Sequence, residues 1–177
     1  MSGDFVHDAG RLGRIGLPEA VYCATKTPEQ IARIAQAIVA RDGKALLTRL
    51  EAAVQAVLPA DVVAGLDYDP TSRTGFLGTV PRAADPARIA IVTGGSSDRP
   101  VAAEAARTLA FHGEGSTAFE DVGAAGVGRL LERCQAIAAH PLVIAVAGME
   151  GALFTVLGGL VGSVVIAVPT STGYGVA

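Results

Sequence analysis

The chain has 177 residues, of which 50% are hydrophobic and 18% are charged, and its net charge is −3. This composition can bury a core, so it excludes a wholly disordered chain. The basic residues are scattered and outnumbered by acidic ones, so nucleic acid is not expected as a partner. Two cysteines are too few for a disulfide scaffold, which indicates a reducing, cytoplasmic location.

Residues 1–80 are predicted to form a small α+β domain. Its clearest signal is a helix start, where Thr27 is the N-cap, Pro28 takes the first helical position and Gln30 completes a capping box. Gly43 is expected to close that helix. The other elements predicted in this domain are a strand over 45–48, a helix over 50–57 and a hairpin that pairs 67–69 with 74–80.

Residues 81–87 are rich in proline and alanine and are predicted to be a linker. From residue 88 to residue 177, apolar strands alternate with helices. This alternation predicts an α/β domain with a parallel, doubly wound sheet flanked by helices. The strands are expected over 88–93, 116–120, 142–147 and 164–168, and the helices over 100–112, 127–138 and 152–162.

Two of these helices carry information about packing. The helix over 152–162 is apolar on every face, and a sheet covers only one side of a helix. A second copy of the chain is therefore expected to cover the other side, so the protein is expected to be a homo-oligomer. The helix over 127–138 is expected to turn one apolar stripe toward the core, formed by Val127, Leu130, Leu131, Cys134, Ile137 and Ala138.

A run of 27 residues, from 142 to 168, carries a single charge, Glu150. Its length would allow a membrane span. Five glycines interrupt the run, however, and a carboxylate in the middle of a bilayer is costly. Continuous apolar strands are typical of a parallel sheet, so a buried strand–helix–strand unit is favoured and no membrane partner is expected.

Ligands of open parallel sheets bind beyond the carboxyl ends of the strands. The loops that follow the four predicted strands are rich in glycine and short polar residues, and their backbone N–H groups suit phosphate or carboxylate. An anionic ligand such as a nucleotide is therefore expected at this edge. The polar residues collected there are Ser96, Ser97, Asp98, Asp121, Glu150, Thr170, Ser171, Thr172 and Tyr174.

Glu150 is the strongest single candidate, as a general acid or base. It lies at a strand end beside a helix start, in apolar surroundings of the kind that tune such groups. The alternative is a carboxylate that only interacts with the helix dipole. Ser97 and Asp98 have helix capping as an alternative role, and the glycines of the second loop, Gly123 and Gly126, have turn formation.

Other reactive residue types are isolated in the sequence. His7, His112 and His140 lack the spacing of metal ligands, so no metal site is expected from protein side chains. Cys134, on the apolar stripe, and Cys23, before the first helix, are expected to pack rather than react.

Three motifs follow the strand ends: GGSSD at 94–98, AGMEGAL at 147–153 and VIAVPTSTGYG at 165–175. Together with DVGAAG at 121–126 and RLGRIGLPEAVYCATKTPEQI at 11–31, they resemble the LarB family of nickel-pincer cofactor biosynthesis proteins. The likeness covers nearly the whole chain. The second half also resembles the PurE superfamily of aminoimidazole ribonucleotide carboxylases, which implies a PurE-like fold of the flavodoxin or Rossmann type.

The resemblance implies an enzyme that carboxylates C5 of the pyridinium ring of nicotinic acid adenine dinucleotide, with CO2 or bicarbonate as co-substrate. It also implies hydrolysis of the phosphoanhydride to AMP and pyridinium-3,5-biscarboxylic acid mononucleotide, which feeds the nickel cofactor of lactate racemase. Mg²⁺ beside the phosphates is compatible with this reaction, and no covalently bound cofactor is expected. A dimer or an octamer is the expected assembly.

Carried onto this sequence, the family pattern makes Glu150 of the Met-Glu-Gly motif the catalytic residue of the carboxylation step. The loops GGSSD, DVG and PTSTGYG would hold the phosphates, the ribose and the pyridinium. The candidate substrate-binding residues are Gly95, Ser96, Ser97, Asp98, Asp121, Gly123, Gly148, Met149, Thr170, Ser171, Gly173 and Tyr174.

The sequence departs from the family pattern at two points. The family nucleophile is a cysteine beyond the TSTGYG motif, which these 177 residues do not contain, so residues 88–177 are expected to lack the last helix and strand of the domain. Gly128 stands where the family commonly has a histidine. Two alternatives stay open: a PurE-type carboxylase of purine biosynthesis, although the loop after the second strand lacks the histidine usual in that class, and a catalytically inactive nucleotide-binding module.

Overall fold

The computed structural model of the protein describes residue 8 and residues 10–174, so His7 and Gly175 lie outside the described residues. The chain divides into two compact units, 1–80 and 81–177. Each unit has its own sheet of four strands. None of the described helices is both long enough and apolar enough to cross a membrane.

The first unit contains eight described elements, in the order α1 (Arg11–Ile15), β1 (Val21–Tyr22), α2 (Pro28–Asp42), β2 (Lys44–Thr48), α3 (Ala52–Gln55), α4 (Ala60–Ala64), β3 (Leu66–Asp69) and β4 (Thr74–Gly78). The strand order is β1-β2-β4-β3. β1 runs parallel to β2, whereas β4 is antiparallel to both of its neighbours. The predicted α+β character and the predicted hairpin of β3 with β4 are confirmed.

The helix start predicted at Thr27 is confirmed in detail. The Thr27 hydroxyl accepts a hydrogen bond from the Gln30 N–H at 3.3 Å, and the Gln30 side chain accepts one from the Thr27 N–H at 3.0 Å. Gly43 ends the helix with φ 78°, a left-handed conformation that glycine adopts readily. α2 then buries Ile31 and Ile38 in the core of the first unit.

The helix predicted over 50–57 is wrong in extent. α3 covers only four of those residues, and Pro59 precedes a separate short helix, α4. Proline cannot continue a helix because it lacks an N–H and clashes with the preceding turn. α1, β1 and α4 are absent from the prediction because elements of five residues or fewer show too little periodicity to be recognised.

The second unit alternates strands and helices: β5 (Ile89–Thr93), α5 (Arg99–Phe111), β6 (Ser116–Phe119), α6 (Val127–Ala138), β7 (Leu142–Met149), α7 (Ala152–Leu160) and β8 (Val164–Gly173). Short 3₁₀ turns over Ser96–Asp98 and Ala124–Gly126 precede α5 and α6. The strand order is β6-β5-β7-β8, and every pairing is parallel. The predicted α/β class with a parallel sheet flanked by helices is confirmed.

Helices cover both faces of this sheet, which makes it doubly wound. Ile91 and Val146 pack against α5 on one face. Ala90 and Val92 pack on the other face in a cluster that includes residues of α6 and α7. The alternation along β5 explains this division, because successive side chains of a strand point to opposite faces. The central strands are therefore buried on both sides, as their continuous apolar sequences predict.

The last strand differs from its prediction. β8 runs to Gly173 rather than to residue 168, so Thr170, Ser171 and Gly173 lie in a strand and not in a loop. β8 is also an edge strand, and Val164 and Ile166 are 65% and 45% exposed. Its apolar sequence predicted burial on both faces, but among the described residues β8 pairs only with β7 and one of its faces is largely exposed.

The apolar stripe predicted on α6 is wrong for half of its members. Leu130 and Ile137 are fully buried, whereas Val127 and Leu131 are 45% and 53% exposed, and Ala138 is exposed. On α7, Leu153 and Leu157 face the core, and the outward side is formed by Thr155, Gly158, Gly159 and Leu160. Most of these outward residues are small, so this side of α7 exposes little apolar surface.

Candidate functional site

A cleft lies at the carboxyl ends of β5 and β7, and the loop that follows β6 forms one of its sides. Seven of the residues proposed from sequence line it: Gly95, Ser97, Asp98, Gly123, Gly148, Met149 and Glu150. The other six proposed residues are not among the described residues that line the cleft. They lie on the same loops, on β8 or directly after β8: Ser96, Asp121, Thr170, Ser171, Gly173 and Tyr174.

The cleft also has lining residues that the sequence did not single out. Most are small and apolar and carry no chemical signal, so only the folded sheet shows that they meet: Gly94, Ala124, Ala125, Ala147, Ala152 and Leu153. Thr172 was expected at the sheet edge but not among the binding residues, and its position in the cleft follows from the unexpected length of β8.

Asp98 organises the loop that follows β5. Its side chain is 3% exposed, and its two carboxylate oxygens accept hydrogen bonds from the Gly95 N–H and the Thr170 hydroxyl, both at 2.9 Å. The carboxylate thereby caps the 3₁₀ turn, and it makes no side-chain cap on α5. Because Thr170 belongs to β8, this one carboxylate joins the first loop of the sheet to its edge strand.

Two glycines allow close approaches around the cleft. A Cβ on Gly148 would overlap the hydroxyl groups of both Thr170 and Thr172, and a Cβ on Gly123 would overlap the carbonyl oxygen of Gly94. The first contact sets two threonine side chains of β8 directly over the end of β7. The second sets the loops after β5 and β6 against each other, so the cleft is narrow where the two loops meet.

The loop after β6 is held by a residue that the sequence did not reveal. Thr93, at the end of β5, is 1% exposed, and its hydroxyl accepts a hydrogen bond from the Asp121 N–H at 2.9 Å. Asp121 has φ 56°, an uncommon left-handed conformation for a residue other than glycine. Its carboxylate is exposed and contacts Arg129 at 3.4 Å, so Asp121 is available to solvent rather than enclosed in the cleft.

Glu150 occupies a tight turn at the end of β7. The Gly151 N–H donates to the Gly148 carbonyl at 3.1 Å, and Met149 and Gly151 have φ values of 54° and 73°. This turn carries Glu150 off the sheet and leaves its side chain exposed at the rim of the cleft. Glu150 is therefore exposed rather than enclosed among apolar side chains as its neighbouring sequence predicts, because buried residues on either side of the turn, such as Val146 and Leu153, pack into the core while Glu150 does not.

Tyr174 is the partner of Glu150. Its hydroxyl donates to Glu150 Oε2 at 3.0 Å, and its backbone N–H donates to the Met149 carbonyl at 2.8 Å. The hydrogen bond to Glu150, followed by the negative charge of that carboxylate, raises the pKa of Tyr174 above its ordinary value. Tyr174 therefore keeps its proton at neutral pH and acts as a donor that orients Glu150.

Neither cysteine lines the cleft. Cys23 is buried in the core of the first unit, and burial raises its pKa to about 11, which suppresses the reactive thiolate at neutral pH. Cys134 on α6 is half-buried and contacts the Leu160 carbonyl at 3.7 Å. Both observations agree with the expectation that these thiols pack.

The described histidines have structural contacts. The two ring nitrogens of His140 lie 3.0 Å from the Ala136 carbonyl and 3.0 Å from the Thr117 hydroxyl, at the end of α6. His112 follows α5 and packs edge-on against Phe111. Within the part of the chain that the structure describes, no three histidine, cysteine, aspartate or glutamate side chains are grouped closely enough to hold a metal ion.

Comparison with known proteins identifies the family. Residues 3–79 match the LarB/PurE-like N-terminal domain. An uncharacterized protein of Methanocaldococcus jannaschii is 34% identical over 189 aligned positions, which cover 96% of this chain and 69% of that protein. With the parallel α/β sheet that follows the N-terminal unit, these matches show that the chain belongs to the LarB/PurE-like family, a family of carboxylase-type enzymes.

Proposed function

We propose that the protein carboxylates C5 of the pyridinium ring of nicotinic acid adenine dinucleotide and cleaves its phosphoanhydride. The products are pyridinium-3,5-biscarboxylic acid mononucleotide and AMP. The observation that carries the proposal is the position of Glu150 at the rim of a glycine-lined cleft, at the carboxyl ends of two parallel strands. This position suits a proton acceptor beside a bound nucleotide.

The chemistry requires two protein groups. C5 of a pyridinium is electron-poor, so a nucleophile first adds to the ring and makes C5 nucleophilic toward CO2. After the new C–C bond forms, a base removes the C5 proton and the nucleophile leaves, which restores the pyridinium. Glu150 is the proposed base, because it is exposed at the cleft and Tyr174 holds one of its oxygens in place.

The nucleophile is assigned by resemblance rather than by these residues. The family pattern implies a cysteine beyond the TSTGYG motif. Cys23 is buried in the core of the first unit, Cys134 lies on α6, and neither is among the residues that line the cleft, so neither is proposed for this role. We therefore propose that this chain supplies the binding site and the base, and the nucleophile stays the cysteine that the family pattern implies.

The loops after β5 and β6 are proposed to hold the phosphates. Ser97 lines the cleft and Ser96 is exposed beside it, so both hydroxyls can donate to phosphate oxygens. Mg²⁺ in proteins is commonly held by one or two carboxylates together with substrate phosphates. Asp121 is an exposed carboxylate in the loop after β6, and it fits that role better than Asp98, whose oxygens already accept two internal hydrogen bonds.

The test is mass spectrometry of the full-length protein incubated with nicotinic acid adenine dinucleotide, bicarbonate and Mg²⁺. We expect AMP together with a mononucleotide that carries one additional carboxyl group. Carboxylation of aminoimidazole ribonucleotide in place of the dinucleotide would contradict the proposal in favour of a purine-pathway enzyme. Tight binding of the dinucleotide without any product would contradict it in favour of a nucleotide-binding module.

A homo-oligomer is proposed from the second unit. Val127 and Leu131 lie four residues apart on one side of α6 and are about half exposed, although their spacing is that of core residues. Apolar surface of this kind marks contact sites when it is contiguous. We expect light scattering to report an even-numbered assembly, a dimer or an octamer, and Leu131→Glu to dissociate it. A monomeric wild-type protein would contradict the proposal.

A further inference from the structure

A chain of side-chain hydrogen bonds leads from the buried loop after β5 into the cleft. The Thr170 hydroxyl lies 2.9 Å from Asp98 Oδ1 and 3.0 Å from the Thr172 hydroxyl. Asp98 and Thr170 are buried, with exposures of 3% and 8%, whereas Thr172 is exposed and lines the cleft. The chain of hydrogen bonds therefore begins at a buried carboxylate and ends at the hydroxyl of a residue that lines the cleft.

The proton of each hydroxyl in this chain has a defined direction. A hydroxyl has one proton to donate and two lone pairs that accept. Thr170 donates its proton to Asp98, so it has none for Thr172. The contact between the two threonines is then a hydrogen bond only if Thr172 donates to Thr170.

Thr172 consequently has no proton left for the ligand. The Gly148 backbone lies against the hydroxyl groups of both Thr170 and Thr172, which places the Thr172 side chain over the end of β7. We infer that Thr172 is a specificity-determining residue that presents its hydroxyl oxygen to the cleft as a hydrogen-bond acceptor and recognises a ribose hydroxyl of the nucleotide.

The choice of a ribose hydroxyl follows from the chemistry of the ligand and rests on the proposed function. In nicotinic acid mononucleotide, the phosphate and the carboxylate only accept hydrogen bonds at neutral pH, and the pyridinium nitrogen carries no proton. The two ribose hydroxyls are therefore the donors of that half of the dinucleotide. A phosphate placed against Thr172 would meet an acceptor and would be disfavoured.

The test measures calorimetric affinity for nicotinic acid mononucleotide and for its 2′-deoxy and 3′-deoxy forms, without bicarbonate. The variants are Thr172→Val, which keeps the shape and removes the hydroxyl, and Thr172→Ser, which keeps the hydroxyl. Thr155→Val is the matched control, because Thr155 is exposed on α7 and is not among the residues that line the cleft.

We expect Thr172→Val to weaken binding of the ribonucleotide by roughly 3- to 10-fold, as for the loss of one hydrogen bond between uncharged groups. One of the deoxy forms is expected to bind the wild-type protein more weakly by a similar factor. For that deoxy form, Thr172→Val is expected to cause no further loss of affinity. Thr172→Ser and Thr155→Val are expected to bind all three nucleotides as the wild type does.

Three results would overturn the inference. If Thr172→Val weakens binding of the ribonucleotide and both deoxy forms equally, Thr172 contacts another group, such as the phosphate. If Thr172→Val leaves the affinity for the ribonucleotide unchanged, Thr172 does not contact the ligand. If the wild-type protein binds none of the three mononucleotides but binds nicotinic acid adenine dinucleotide, the inference fails and the proposed function stands; if it binds neither, both fail.

Discussion

Glu150→Gln is expected to lower the rate of carboxylation by about 10²- to 10⁴-fold in the full-length protein, the range usual for loss of a general base. The amide keeps the shape of the side chain and can still accept a hydrogen bond from the Tyr174 hydroxyl, which lies 3.0 Å from the carboxylate in the wild type. It cannot take up the C5 proton. Affinity for nicotinic acid adenine dinucleotide is expected to change by less than about 3-fold, because the substitution removes a proton acceptor rather than a binding surface.

The measurement is single-turnover formation of the carboxylated product, together with a separate titration of dinucleotide binding. Glu132→Gln is the matched control, since Glu132 is exposed on α6 and is not among the residues that line the cleft. Near-normal turnover by Glu150→Gln would remove this residue from the mechanism. A large loss of binding in the same variant would mean that the carboxylate positions the ligand rather than moves a proton.

Asp98→Asn is expected to lower the free energy of unfolding of the second unit by about 1–3 kcal/mol. Asp98 is only 3% exposed. One of its carboxylate oxygens accepts a hydrogen bond from the Gly95 N–H, and the other accepts one from the Thr170 hydroxyl. An amide offers an acceptor oxygen and an NH₂ donor, so either the Gly95 N–H loses its acceptor or the Thr170 hydroxyl must change from donor to acceptor, and the hydrogen bond that remains loses the charge of the carboxylate. The loop after β5 is then expected to loosen, and ligand affinity is expected to fall with stability.

The matched control is Asp121→Asn in the neighbouring loop. Asp121 is exposed and pairs with Arg129 at 3.4 Å, and an exposed ion pair contributes about 0–1 kcal/mol. Asparagine also tolerates the left-handed φ of 56° that Asp121 adopts. Urea denaturation and the hydrogen-exchange rate of the Gly95 N–H measure both variants. Equal stability of the two variants would show that Asp98 does not anchor the loop.

Local patterns were enough for most of the fold. The capping box at Thr27 and the apolar strands of the second unit are signals carried by residues close together in the chain, and both are confirmed. The same is true of the cleft's position, because parallel strands present their carboxyl ends at one edge whatever their order. Glycines and short polar residues at those strand ends line the cleft, and ligand binding there stays a prediction.

The hydrogen bonds that position the loops of the cleft join segments that are distant in sequence. The role of Asp98 depends on Thr170, 72 residues later in the chain, and the position of the second loop depends on Thr93, 28 residues before Asp121. A short polar residue beside a strand end has the same local pattern whether it caps a helix, binds a ligand or joins two loops. Sequence reasoning could therefore name Asp98 but not its partner.

Exposure was the property that the sequence pattern misjudged most. Glu150 and Ile166 stand in apolar sequence and Leu131 belongs to a predicted apolar stripe, yet all three side chains are exposed. Apolar spacing determines which residues share a face of a helix or strand, but burial requires a neighbouring element over that face. The order of the strands makes β8 an edge, and the turn at Gly148–Gly151 carries Glu150 off the sheet. The chain order of motifs thus determined the family and the edge of the sheet at which the cleft lies, whereas only the tertiary structure decided which side chains meet there, because those contacts join segments that are far apart in sequence.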